Sequence, residues 1–160
     1  MKNKTHPDFQ RRIDEQLGDD APAFWNALKH QPLREGLRVN TLKCSSKVFL
    51  EKSPFPVTPL PWAEDGFLVE ETKTSPGKHP YHAAGLYYLQ EPSAMAVAEI
   101  LNPEPGERVL DLAAAPGGKA THIASRMRNR GLLMANDPHK GRVQALARNL
   151  ERWGATNAVI

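Results

Sequence analysis

The spacing of apolar positions changes along the chain, and each change marks an element. Phe9, Ile13 and Leu17 recur every four residues and Gly18 follows them, which predicts a short helix over 6–18. Phe24, Trp25 and Leu28 make an apolar stripe over 21–30, where Pro22 suits a first turn, so a second helix is expected with its aromatics in a core. Leu37, Val39 and Thr41 then alternate with Arg38, Asn40 and Leu42, the period of a strand, read as a sheet-edge strand with Arg38 in solvent. Residues 45–52 suit a helix with Ser45 or Ser46 at its N-cap. In PFPVTPLP, Pro54, Pro56, Pro59 and Pro61 exclude helix and central strand and leave edge strands or an extended connection. Residues 63–80 are polar, with turns expected at Asp65-Gly66 and Ser75-Pro76-Gly77 and a short strand at 67–69 between them.

The second half reads as a parallel α/β unit. A strand at 85–90, GLYYLQ, leads to Pro92, which opens a helix reaching about residue 101. That helix is apolar on most sides and is expected to be buried. Val109, Leu110 and Leu112 form a short apolar run, as in a strand buried on both faces of a parallel sheet. Pro116-Gly117-Gly118 breaks the run, and 119–130 can be helical. A second run over 132–135 ends in Asn136 and Asp137. Val143, Leu146, Ala147, Leu150 and Trp153 then mark a helix over 138–153, stopped by Gly154, and a third apolar strand begins at Asn157.

The order strand, glycine turn, helix, strand, acid is a candidate site. Glycines let a ligand approach the backbone, and the free N–H groups at a helix start can hold an anion. Asp137 lies 20 positions beyond Gly117, the spacing at which nucleotide-binding α/β units place an acid on ribose hydroxyls. A phosphate loop of the Walker type would need Gly at position 113 and Ser or Thr at position 120, where the chain has Ala113 and Ala120. A dinucleotide fingerprint needs three spaced glycines, and this loop has one adjacent pair. A ligand with a ribose but no pyrophosphate fits better, and S-adenosylmethionine is the common one. The bland alternatives are a plain connecting turn and an Asp137 that caps the next helix, with Pro138 at its first position.

The loop Asp111-Leu-Ala-Ala-Ala-Pro-Gly-Gly-Lys119 resembles the cofactor motif of the RNA cytosine-5 methyltransferases related to the Sun (Fmu) protein. The resemblance extends over Leu37-Arg-Val-Asn-Thr-Leu-Lys43, Tyr88-Leu-Gln-Glu-Pro-Ser-Ala-Met95 and Asn136-Asp137 through Trp153-Gly154. It implies an α/β fold in which a Rossmann-like, S-adenosylmethionine-dependent methyltransferase sheet, truncated after its third strand, follows a small α/β N-terminal domain. The division would be 1–85, a domain implicated in RNA contact, and 86–160, the start of the methyltransferase domain. The resemblance implies that Ala113, Ala114, Ala115, Pro116, Gly117, Gly118 and Lys119 line the methionine end of the cofactor, that Asp137 holds the ribose, and that Gln90 and Glu91 edge the pocket. It also implies two cysteines after the region seen here, one of them the nucleophile, so no catalytic residue is expected before Ile160 and the chain alone is expected to be inactive. Ala113 and Ala120 depart from the family's frequent Cys and Thr or Ser. Ribosomal RNA is the implied partner of a monomeric enzyme, and a non-catalytic RNA-binding module on the same fold is the alternative.

Composition adds limits. Residues 1–105 carry 12 Lys/Arg against 14 Asp/Glu, whereas 106–160 carry 9 against 4, a basic cofactor half compatible with nucleic acid. Cys44 is the single cysteine, so no internal disulfide can form, and it matches no nucleophile motif. The six histidines show no metal-ligand spacing, and no metal is expected. The start MKNKTHPDF lacks an apolar signal core, and a cytoplasmic protein is expected.

Overall fold

The computed structural model describes residues 5–30 and 34–160, which fall into two compact units, Met1–Leu33 and Arg34–Ile160. In the first, α1 (Pro7–Leu17) and α2 (Ala21–His30) flank a 3-10 turn at Gly18–Asp20. The His6 ring caps α1 by accepting from the Asp8 amide, and Gly18 stops it. Phe9 and Trp25 meet edge to face at 6.0 Å, and the Trp25 indole donates to the Asp14 carboxylate at 2.6 Å. Phe24 and Trp25 are only half-buried and Leu28 is exposed, so the aromatic stripe makes a thin contact rather than the expected core.

The second unit holds two sheets. One is antiparallel, in the order β2-β3-β1-β4, from β1 (Gly36–Val39), β2 (Val57–Leu60), β3 (Ala63–Val69) and β4 (Tyr87–Leu89). Helix α3 (Ser46–Lys52) is capped by Ser45, whose hydroxyl accepts from the Val48 amide. A one-turn helix, α4 (Pro80–Ala83), precedes β4. Proline-bearing β2 lies at an edge, as its composition demands. Two expectations fail here. β1 is a central strand rather than an edge, and every one of its residues is buried, Arg38 included at 1% exposure. Asp65-Gly66 is not a turn but the middle of β3, where Gly66 pairs with Arg38. A β-carbon at Gly66 would stand 2.7 Å from the Ala63 β-carbon and 2.8 Å from the Met95 sulfur, so the glycine admits a packed neighbour instead of a chain reversal.

The other sheet is parallel, in the order β5-β6-β7, from β5 (Arg108–Asp111), β6 (Leu132–Ala135) and β7 (Ala158–Val159). It is joined by α5 (Pro92–Leu101), α6 (Gly118–Arg126) and α7 (Lys140–Trp153). One face packs Leu133 and Ala135 against Ile123, Ala124, Leu146 and Leu150. β5 is not buried on both faces as expected: Leu110 and Leu112 are 55% and 67% exposed, and Met134 and Val159 are exposed beside them. In α5 only Met95 and Ala98 are buried and Ile100 is 84% exposed, so this helix too is covered on one side. Helix α6 ends at Arg126, short of the expected 130, because Arg128 and Asn129 turn left-handed ahead of β6.

Candidate cofactor site

β5 and β6 run side by side, with Asp111 paired to Ala135, so both strands deliver their outgoing loops to the same end of the sheet. Two backbone bonds tie the outgoing chains together: the Asn136 amide donates to the Asp111 carbonyl at 2.8 Å and the Ala114 amide to the Asn136 carbonyl at 2.9 Å. The loop 113–119 and Asp137 therefore sit together. The Asp111 carboxylate steadies the loop by accepting from the Ala113 amide at 3.2 Å. At Gly117 the backbone is left-handed (φ 115°), which favours glycine, and α6 starts at the next residue. Gly118 has ordinary backbone, and a β-carbon there would stand 3.5–3.6 Å from Tyr88 and Gln90. Lys119 is exposed on the first turn of α6, and Ala114, Ala115 and Gly117 are buried.

Asp137 is buried. Its Oδ1 accepts from the His139 amide at 3.0 Å, closing a turn around Pro138, and α7 begins only at Lys140. Asp137 is thus not the helix cap, a position held by His139. Among the described residues its Oδ2 finds no hydrogen-bond donor in bonding geometry, although Arg142 Nη1 stands 3.4 Å away. Oδ2 of Asp111 is likewise buried without a hydrogen bond. A buried acceptor without a donor costs roughly 1–3 kcal/mol. Two of them at the ends of adjacent strands suit a ligand bearing hydroxyl and ammonium donors, and S-adenosylmethionine carries both. Sequence reasoning left Asp111 unassigned; an acid closing an apolar strand just before the glycine loop was the available signal.

The loop is also held from behind. Asn149 of α7 donates to the Pro116 carbonyl at 2.7 Å, and Arg142 donates to the Ala115 carbonyl. Gln90 is buried behind Gly118, its amide donating to the Ala94 carbonyl at 3.3 Å. Glu91 caps α5 by accepting from the Ala94 amide at 3.0 Å, and its hydrogen bonds with Ser93 hold its carboxyl below the usual range. Asn40 is fully buried and donates to the carbonyls of Gly85 and Trp153, each at 2.8 Å. Cys44 packs beside the core of the antiparallel sheet, and burial pushes its thiol up, away from the reactive thiolate. Among the described residues no three His, Cys, Asp or Glu side chains are placed to hold a metal ion, and no helix is long and apolar enough to cross a membrane.

A parallel sheet with a glycine loop after one strand and an acid after the next is the front of a Rossmann-like methyltransferase fold. Residues 6–92 match the N-terminal domain of 16S rRNA methyltransferase RsmF, and residues 98–160 match 16S rRNA methyltransferase RsmB/F; the chain belongs to this family. It is 44% identical over 137 residues to ribosomal RNA small subunit methyltransferase F of Vibrio vulnificus, a match that covers 81% of this chain and 29% of that protein. The corresponding protein of Erwinia tasmaniensis is 41% identical over 156 residues, 91% of this chain and 33% of its own length. The chain thus spans about a third of the length of these relatives. A solved methyltransferase homolog from Pyrococcus horikoshii superposes with a TM-score of 0.82 at 34% identity, over 97% of this chain and 56% of the other.

Proposed function

We propose that this chain carries the cofactor loop of a cytoplasmic enzyme that methylates carbon 5 of cytosine in ribosomal RNA, with S-adenosylmethionine as methyl donor. The observation that carries this reading is the pair of buried, unbonded carboxylate oxygens, Asp111 Oδ2 and Asp137 Oδ2, flanking a glycine loop at the ends of adjacent parallel strands. Family membership supports the substrate class.

When bound, S-adenosylmethionine supplies an electrophilic methyl group. The residues present suit its parts. Asp137 accepts from the ribose hydroxyls, Asp111 takes an ammonium donor, and the first amides of α6, at Gly118 and Lys119, have no partner inside the helix and suit a carboxylate. Ala113 to Gly117 bring the backbone close without side-chain bulk. Residues 1–85 are read as the N-terminal domain that contacts RNA, and 86–160 as the start of the methyltransferase domain. Attack on cytosine needs a thiolate adding at carbon 6, which makes carbon 5 nucleophilic, and Cys44 is not that group.

Calorimetric titration of the protein with S-adenosylmethionine tests the site, and methyl transfer to small-subunit ribosomal RNA with mass mapping of the base tests the reaction. Saturable cofactor binding is expected of this chain, and 5-methylcytosine only of an enzyme spanning the full length of its relatives; a folded protein that binds no cofactor would overturn the reading.

A further inference from the structure

Arg38 belongs to the antiparallel sheet, yet its guanidinium is spent on the loop of the parallel one. Nη2 donates to the Gly118 carbonyl at 3.1 Å and to the Thr121 hydroxyl at 2.8 Å, and Nε donates to Gln90 Oε1 at 3.1 Å. The Thr121 hydroxyl in turn donates to the Gly117 carbonyl at 2.7 Å. The guanidinium lies 4.6 Å from the Trp153 ring centroid, and the Trp153 indole is fixed by donating to Ser125 at 2.8 Å. Every acceptor is neutral, and among the described residues no carboxylate forms an ion pair with Arg38. Burying a cation this way is expensive, and burial pulls Arg38 down to about 9, still protonated at neutral pH. A Leu or Met would fill the space without that cost. What those would not supply is a rigid fork gripping Gly118 directly and Gly117 through Thr121.

We infer that Arg38 is a positioning residue for the cofactor loop: by fixing the carbonyls of Gly117 and Gly118 it orients the amides at the start of α6 toward the anionic end of the ligand. The inference rests on the reading of the loop as the S-adenosylmethionine site. It gives the Arg-x-Asn block a role inside the molecule, since Nε and Nη2 of Arg38 and the side-chain amide of Asn40 all donate to internal acceptors.

The test uses Arg38→Met, Arg38→Lys and Thr121→Val, with two readouts. Hydrogen exchange without cofactor should show faster exchange at the Thr121 amide, which donates to the Gly117 carbonyl at 2.8 Å, in Arg38→Met while amides of β3 keep their protection. S-adenosylmethionine affinity, measured well below each variant's melting temperature, should fall roughly tenfold or more, as expected when a ligand-positioning group is displaced by about an ångström. Arg38→Lys, which can reach one or two of the acceptors, should recover part of the loss. Thr121→Val should reproduce it, and the double variant Arg38→Met/Thr121→Val should be no worse than the weaker single, because both act through one network. Should Arg38→Met fail to fold, Thr121→Val, close in shape, decides alone. Unchanged loop exchange and affinity within twofold, even with a lowered melting temperature, would overturn the inference while leaving the site reading intact. An unmodified protein that binds no S-adenosylmethionine would bring down the site reading and this inference with it.

Discussion

Arg142 Nη1 stands 3.4 Å from the buried Oδ2 of Asp137, and the same guanidinium donates to the Ala115 carbonyl. One side chain of α7 thereby ties the acid after β6 to the loop after β5. The ion pair orients the carboxylate without satisfying it, since Oδ2 makes no hydrogen bond.

Asp137→Ala should weaken S-adenosylmethionine binding by roughly 1–3 kcal/mol, the cost of leaving ligand hydroxyls unpaired in a buried site. Calorimetry alongside thermal melting checks this. Equal affinity in a folded variant would leave Asp137 only its turn around Pro138.

The two loop glycines should behave differently. Gly117→Ala forces a β-carbon into the left-handed region and should cost about 1–2 kcal/mol of stability. Gly118→Ala meets its neighbours at ordinary contact distance and should stay within ~0.5 kcal/mol of the parent. Urea unfolding distinguishes them, and a Gly117→Ala loss no larger than that of Gly118→Ala would show that the left-handed backbone at Gly117 carries no measurable cost.

In an enzyme spanning the full length of its relatives, Cys44→Ser should leave methyl transfer within about twofold and stability within ~1 kcal/mol, as for a half-buried thiol with no bonded partner. A thousandfold loss of methyl transfer in a folded variant would make Cys44 the nucleophile.

His122 sets an acid limit. Its Nε2 lies 3.2 Å from Glu99, but burial, followed by the charges of Arg38 and Arg126, pushes it from 6.5 down to about 2, so the folded ring is neutral. Burial also raises Glu99, which pairs with Arg126 at 2.5 Å. Below pH 6.5 the unfolded chain takes up a proton at His122 that the folded chain refuses. Stability therefore falls with falling pH, by up to ~1.4 kcal/mol per pH unit from this group. His122→Gln should flatten the dependence between about pH 6.5 and 5, where denaturant titrations at several pH values would show it. Glu99 is present in both proteins, so the difference isolates the ring; identical slopes would mean that His122 is protonated in the fold.

What was legible in the sequence was local. The helices at 21–30 and 45–52, the edge placement of the proline strand and the β6–α7–β7 order follow from side-chain period, caps and breakers, which act within a few residues of themselves. The juxtaposition of the glycine loop and Asp137 was legible too, because adjacent parallel strands deliver their C-terminal ends to one place.

Arg38 was not. Strand alternation says that it opposes Leu37 and Val39 but not what lies opposite, and Thr121 and Trp153, more than 80 positions on, decide that it is buried. Asp65-Gly66 reads as a turn from its own residues, and only the approach of Met95 shows that the glycine makes room for a neighbour. Asp111 could be seen as an acid at the end of a strand, but only the fold shows that its second oxygen is buried without a donor. Period and turn chemistry are properties of neighbours along the chain and are set by the sequence itself. Burial, the pairing of a cation with distant carbonyls and the satisfaction of a carboxylate are properties of neighbours in space, which exist only once the two sheets have packed.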